Sequence, residues 1–137
     1  MVKSVLIPVA LDHEPLVEKK IATARRIMDE GGQITLLTVL EQIPGFTQEF
    51  VTVKSENHLT TKVMENLQRL AAGAPDITCK VETGKPGIKI VEFAQDNGID
   101  LIIVAAHHPS AMDYFLGSTA ARVARRATCS VLVERQD

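Results

Sequence analysis

The residues best suited to bind a ligand lie in the last third of the chain. An apolar run, DLIIVAA (residues 100–106), ends in two histidines, and Gly117, Ser118 and Thr119 later open a predicted helix. Free N–H groups at a helix N-terminus, with hydroxyl groups beside them, suit the oxygen atoms of a phosphate. A glycine there can adopt angles that a side chain forbids, and it lets a ligand approach the main chain. The alternative is that Ser118 only caps the helix.

The two histidines, His107 and His108, follow that apolar run directly. Adjacent side chains at a bend project in different directions, so the pair is poorly suited to chelating one metal ion. A hydrogen bond to a phosphate, or stacking on a base, suits His107 better. For His108, a structural role in a turn made rigid by Pro109 is the open alternative.

Short apolar runs alternate with segments of helical period along the chain, which is typical of an α/β fold. The first predicted helix, residues 14–30, has an apolar stripe at Val17, Ile21 and Ala24. Right-handed crossovers make the intervening strands parallel. The sequence therefore predicts a single doubly wound α/β domain over residues 1–137, with a five-stranded parallel sheet in order 3-2-1-4-5 and helices on both faces. The predicted strands are residues 4–10, 33–40, 77–82, 100–106 and 129–134.

In such a sheet the winding direction reverses between strands 1 and 4, and their carboxyl ends border a crevice. PVALD (residues 8–12) and AAHHP (residues 105–109) emerge at those ends. The predicted topology therefore places the ligand site between these two segments and the helix that begins near Gly117.

Composition and charge exclude several classes of function. A net charge of −2 and a pI near 6.1 provide no basic field for nucleic acid. The basic pairs at residues 19–20, 25–26 and 125–126 are typical of solvated helix faces. No apolar run approaches the roughly 18 residues that span a membrane, and the short amino-terminal run leads into a strand. We expect a cytoplasmic protein without a membrane or nucleic-acid partner.

Motifs of catalysis and metal binding are missing from the sequence. It contains no Walker-type lysine loop, no nucleophile elbow and no HExxH helix. Cys79 and Cys129 fall in predicted strands and are interpreted as inert core thiols rather than zinc ligands. We therefore predict no catalytic residue and no metal-ligating residue, and slow ATP hydrolysis is the most that the chain is expected to perform.

Three segments carry a resemblance to a known family. VLIPVA (residues 5–10), TGKPGIKIVEFAQDNGIDLIIV (residues 83–104) and AAHHPSAMDYFLGSTAARVARRATCSVLV (residues 105–133) resemble the universal stress protein family, and the likeness covers essentially the whole chain. Many members carry a G-x-x-G loop followed nine residues later by Gly-Ser or Gly-Thr, and bind ATP there. Here Ala105 and His108 replace the glycines, and the gap is one residue shorter. The loop is closer to a branch with His-Arg-Pro at this bend, whose members can bind adenine nucleotides.

The resemblance implies which residues contact a nucleotide. Ala10 replaces the usual aspartate of the strand-1 end and cannot accept hydrogen bonds from ribose hydroxyls. Asp12 follows two residues later, and its alternative role is to cap the first helix. The expected binding residues are Pro8, Val9 and Ala10 for adenosine, Val39 for the adenine edge, and Ala105, His107, His108, Gly117, Ser118 and Thr119 for the phosphates.

Charge restricts the choice of nucleotide. A triphosphate brings about four negative charges, whereas a helix N-terminus supplies about half a positive charge. Residues 109–116 contain no lysine or arginine, and Arg125 and Arg126 lie too far along the helix to reach back. We therefore expect ATP to bring magnesium or manganese with it, and AMP to be the other candidate ligand.

The resemblance also implies a function and an assembly. The leading hypothesis is a nucleotide-binding stress-response regulator that acts as a homodimer on an unidentified protein partner. The alternative is a dimeric interaction protein of the same family that binds no nucleotide. In both hypotheses the fifth strand, with Val131, Leu132 and Val133, pairs across a two-fold axis, because an apolar edge strand is otherwise a liability.

Overall fold

The computed structural model describes residues 1–10, 16–41, 53–106 and 116–135. The strands and helices alternate along the described chain as the sequence predicts. They are β1 (Ser4–Pro8), α1 (Val17–Ile27), β2 (Gln33–Leu40), α2 (Val53–Ala71), β3 (Ile77–Thr83), α3 (Pro86–Asp96), β4 (Leu101–Ala106), α4 (Ser118–Arg126) and β5 (Ser130–Arg135).

The five strands form one sheet in the order β3-β2-β1-β4-β5, and every neighbouring pair is parallel. This confirms the predicted doubly wound α/β fold. The alternating burial of β3 agrees with its place at one edge of the sheet. Every residue of β4 is buried, as expected for a strand covered on both faces.

The two faces of the sheet carry separate apolar cores because successive side chains of a strand point to opposite faces. Val5 and Ile7 of β1 pack into one core, whereas Leu6 between them packs into the other. The first core contains residues of α1 and α2, and the second contains residues of α3 and α4. Helices therefore cover both faces, as predicted.

The end of α1 does not use Gly31 or Gly32 as a left-handed helix cap. Met28 caps the helix in an extended conformation, and its N–H donates to the carbonyl of Ala24. Gly31 does have a positive φ of 83°, but it lies in the turn beyond the cap, where the Gly32 N–H donates to the Asp29 carbonyl at 3.0 Å. The positive φ thus serves the turn into β2 rather than the helix end.

The helices of the described ranges pack on the sheet by one face. Even the 19-residue α2 buries Val63 and Leu67 while Lys62, Glu65 and Arg69 interrupt its apolar residues. No helix in those ranges combines the length and the apolar character needed to cross a bilayer.

A cavity at the switch point of the sheet

The two central strands separate before they reach their carboxyl ends. β1 and β4 pair only at Val5 with Leu101 and at Leu6 with Ile102. On its other side, β1 remains paired with β2 as far as Pro8. The winding of the sheet reverses between β1 and β4, so this separation opens a crevice at the predicted switch point.

Hydrogen bonds to β2 hold the chain that leaves β1 away from β4. The N–H of Val9 donates to the carbonyl of Leu37 at 2.8 Å. The carbonyl of Val9 accepts a hydrogen bond of 2.9 Å from the Oγ1 of Thr38, whose side chain is buried. Since both main-chain groups of Val9 are bound to β2, the crevice stays open on the β4 side.

The direction of the main chain in β2 determines what Val39 offers to the crevice. The Leu37 carbonyl accepts from Val9 and therefore points toward β1, whereas the Leu40 carbonyl accepts from Gly84 and points toward β3. Main-chain polar groups alternate in direction along a strand, so those of Val39 point toward β1. The ladder between β1 and β2 ends at Pro8 and Leu37. The main chain of Val39 therefore faces the crevice, as a contact to an adenine edge requires.

The crevice contains a cavity of about 500 Å³. Eight of the predicted binding residues line it together: Pro8, Val9, Ala10, Val39, Ala105, Gly117, Ser118 and Thr119. His107, His108 and Asp12 lie outside the described residues. The structure thus gathers residues from four separate segments at one place, and their binding role stays a prediction.

One wall of the cavity consists of residues that the sequence analysis did not select. These are Pro86 and Ile90 of α3, and Ala120 and Val123 of α4. The two helices pack closely at Gly87, where an added Cβ would lie only 2.7 Å from Cδ of Arg122. The sequence does contain an indication of this wall. Pro86 closely follows the carboxyl end of β3, and the predicted site also lies at the carboxyl ends of the strands.

The helix α4 begins where the sequence predicts a helix, but its cap is a different residue from the one considered. Gly117 is the N-cap residue and Ser118 is the first helical residue, so Ser118 is not the cap. No side-chain hydrogen bond caps the helix among the described residues. The N–H groups of its first turn have no partner within the helix. They are therefore placed to receive an anion in the cavity.

Contrary to our expectation, Gly117 does not adopt a backbone conformation that only glycine allows. Its φ of −57° and ψ of 162° are open to any residue. A Cβ on Gly117 would have no atom within 4 Å, and the residue lines the cavity. The missing side chain thus leaves space in front of the main chain.

Lys20 was predicted to lie on a solvated helix face, and this is wrong. Its exposed fraction is 1%, it lines the cavity, and its Nζ donates to the carbonyl of Pro8 at 3.4 Å. A signal was present in the sequence: Lys20 lies three residues after Val17 and four before Ala24, within the apolar stripe of α1. Its neighbour Lys19 has a more exposed side chain and hydrogen-bonds to the carbonyl of Arg135.

Charge is unevenly distributed around the cavity. Among the described lining residues, Lys20 and Glu41 are the charged ones. Lys20 is buried and Glu41 is exposed, so the positive charge lies deeper than the negative one. The described part of the chain contains no cluster of three or more histidine, cysteine or acidic residues that could hold a metal ion.

The predicted dimer strand lies at the free edge of the sheet, beside β4. Val131 packs against the core under α3 and α4, and Leu132 against the core under α1 and α2. Val133 is 40% exposed. The edge therefore carries an exposed apolar side chain, and its pairing with a second copy stays a prediction.

Comparison with known proteins gives consistent results over the full length. A model of the universal stress protein family matches residues 1–135. Universal stress protein G of Shigella flexneri is 28% identical over 142 residues, which cover 98% of this chain and 100% of that protein. The solved structure of the hypothetical protein MJ0577 is similar with a TM-score of 0.79 at 22% identity, over 100% of this chain and 98% of that one. At that identity the structural likeness establishes the fold alone.

Two further solved structures of similar fold contain adenine nucleotides. A universal stress protein in complex with cAMP has a TM-score of 0.60 and 22% identity, over 99% of this chain and 98% of that one. A universal stress protein of Archaeoglobus fulgidus in complex with dAMP has a TM-score of 0.64 and 14% identity, over 97% and 98%.

Proposed function

The chain belongs to the universal stress protein family, and from this premise we propose that its switch-point cavity binds an adenine nucleotide, ATP or AMP. The bound form acts as a stress-response regulator. A ligand changes function only through different affinities for two states, so the nucleotide biases a conformation or an interface seen by a protein partner. Relatives of the same fold bind cAMP and dAMP, which supports an adenine ligand.

The main support for the proposal is that an apolar surface and a helix N-terminus line the same cavity. One wall is apolar, with Ile90, Val104 and Val123 among its residues, and suits the faces of a base. Another part is the uncapped first turn of α4, where N–H groups and the hydroxyls of Ser118 and Thr119 suit a phosphate. A nucleotide has both parts, joined at a fixed spacing.

Val39 and Ala10 determine how the nucleoside part is held. The main chain of Val39 faces the cavity and supports hydrogen bonds to the adenine edge. Ala10 also lines the cavity but brings no carboxylate to the ribose. We therefore propose that base and phosphate contacts provide most of the affinity, and that the ribose is bound less selectively than by an aspartate.

Magnesium enters this proposal only with a triphosphate. Glu41 is the one carboxylate among the described lining residues, and it is exposed. A magnesium ion usually takes several water ligands, one or two carboxylates and the phosphates of its substrate. The phosphates of ATP, rather than a set of described side chains, would therefore bring the ion.

Calorimetry tests the nucleotide proposal directly. Mass spectrometry of the small molecules released from freshly purified, denatured protein would first identify any ligand that co-purifies. Titration of the ligand-free protein with ATP, ADP and AMP, with and without magnesium, would then give affinities. Binding in the micromolar range is expected for at least one of them. Absence of binding at millimolar concentration would refute the proposal and favour the alternative, a dimeric interaction protein without nucleotide.

We further propose that the regulator is a homodimer joined through β5. The strand lies at an edge of the sheet, with β4 on one side and no described strand on the other, and Val133 exposes apolar surface there. Antiparallel pairing of two copies of β5 would cover both features. Leu132 is less suitable for mutagenesis, because it packs against the core and its replacement would also destabilise the fold.

A further inference from the structure

Glu41 is a charged residue of the cavity to which the proposed function gives no role. It follows the carboxyl end of β2, and its exposed side chain lines the cavity together with Leu37 and Val39. Successive side chains of an extended chain alternate in direction, so these three residues form one row. Leu37 and Val39 pack toward the core under α3 and α4. Glu41 therefore continues the row of β2 that faces the apolar wall of the cavity.

The carboxylate of Glu41 is available to a ligand on the β2 side of the cavity. Within the described ranges, no hydrogen bond or ion pair engages it. β2 and β4 lie on either side of β1, so their carboxyl ends are about 9–10 Å apart, which is two strand spacings. Val39 and Glu41 border the cavity from β2, whereas Ala105 borders it from β4. Because a carboxylate repels a phosphate, the β2 side suits the base of a nucleotide.

The main chain of Val39 cannot by itself distinguish one purine base from another. It offers one N–H donor and one carbonyl acceptor toward the crevice. Adenine presents its 6-amino donor beside a ring acceptor, whereas a 6-oxo purine presents an acceptor beside a ring N–H donor. Either base can therefore form a donor–acceptor pair with the main chain. Selection between them needs a further group that only accepts or only donates hydrogen bonds.

We propose that Glu41 makes this cavity select adenine over 6-oxo purines, by accepting a hydrogen bond from the 6-amino group. The inference rests on the proposed nucleotide function and adds to it a residue that determines base specificity. An ionised carboxylate only accepts hydrogen bonds, and Glu41 is the one side chain of this kind among the described lining residues. A 6-oxo group would place its oxygen against that carboxylate. Two acceptors would then face each other without a hydrogen between them, which lowers affinity.

The test compares AMP with inosine monophosphate (IMP), which carries an oxo group in place of the 6-amino group. Ribose and phosphate are the same in both, so the ratio of the two affinities reports contacts to the base alone. Calorimetry on the wild-type protein is expected to give binding of AMP tighter by about tenfold or more. If only triphosphates bind, ATP and inosine triphosphate with magnesium form the equivalent pair. The amide of Glu41→Gln both donates and accepts, and Glu41→Ala does neither, so each should reduce the preference below about threefold.

Glu82 offers a matched control on the neighbouring strand. It lies opposite Val39 in the ladder between β2 and β3, its side chain is exposed, and it is not among the residues that line the cavity. Glu82→Gln changes the net charge as Glu41→Gln does. Its preference for AMP over IMP is expected to equal that of the wild type. Thermal melting of each variant checks that the fold is retained, as expected for exposed residues.

The possible outcomes separate the two proposals. If the wild-type protein binds neither AMP nor ATP, the nucleotide function is wrong and the role of Glu41 falls with it. If it binds the amino and oxo nucleotides equally well, base selection is wrong while nucleotide binding stands. If the preference for the amino nucleotide survives in either folded Glu41 variant, Glu41 is not its source and the inference is wrong. Loss of the preference in both Glu41 variants, but not in Glu82→Gln, supports the inference.

Discussion

Replacement of Gly117 by Val is expected to weaken ligand binding in the cavity while it leaves the stability of the fold nearly unchanged. At this position φ is −57° and ψ is 162°, which valine adopts without strain. A Cβ added there has no atom within 4 Å apart from those of the neighbouring residues in the chain, so the side chain starts in open space. Gly117 lines the cavity as the N-cap residue of α4, so we expect the added side chain to reduce the space available to a ligand beside the first turn of the helix. We therefore expect a folded protein with a weakened ligand site.

The sizes of the two effects of Gly117→Val follow from different principles. Restriction of the unfolded chain stabilises the protein by about 0.4–1 kcal/mol. Loss of a favoured N-cap residue costs about as much. The net change in melting temperature should thus stay within about 4 °C. Loss of one hydrogen bond between an N–H group and a charged phosphate costs about 1.5–3 kcal/mol, which weakens AMP binding about ten- to hundredfold.

Gly98→Ala is the opposite control for this experiment. Gly98 has a φ of +61° and lies just before the amino end of β4, whereas the cavity lies at the carboxyl ends of the strands. Alanine in that conformation costs about 1–2 kcal/mol, so this variant should melt several degrees lower and bind AMP normally. Calorimetry and thermal melting on both variants complete the comparison. Unchanged AMP affinity in Gly117→Val would show that phosphate does not approach the main chain there.

Three further predictions concern the edge strand, one ion pair and the thiols. Val133→Lys should convert the proposed dimer to a monomer with little loss of stability, and an unchanged mass in light scattering would contradict pairing through β5. The guanidinium group of Arg25, which donates to both carboxylate oxygens of Asp76, lowers the pKa of Asp76. The folded pKa lies below the unfolded value, so the pair stabilises above about pH 4. That stability, about 0.5 kcal/mol for an exposed pair, is lost as pH falls further, and Asp76→Asn should melt below wild type at pH 7 but not at pH 2.5. Burial raises the pKa of Cys79 and of Cys129, so both thiols should react more slowly with a thiol reagent at pH 8 than in urea, and equal rates would refute this.

The sequence alone determined the architecture because the relevant signals are local. Each strand is a short apolar run and each helix has its own period, as the stripe from Val17 to Ala24 shows. The chirality of crossovers turns that order of elements into a parallel sheet. The position of the crevice follows from where the winding reverses, so the sequence by itself indicates Pro8 and Gly117 as residues beside it.

Only the tertiary structure decided which side chains share the cavity. Pro86 and Ile90 enter its wall because α3 packs against α4, a contact that no local pattern encodes. The sequence placed Lys20 among solvated residues because lysine usually lies at the surface. Its actual environment depends on where β1 and β4 separate. That point depends in turn on the hydrogen bonds that join the end of β1 to β2, a strand distant from it in the sequence. Periodicity reports which face of a helix is buried, whereas the packing of distant segments determines what that face contacts.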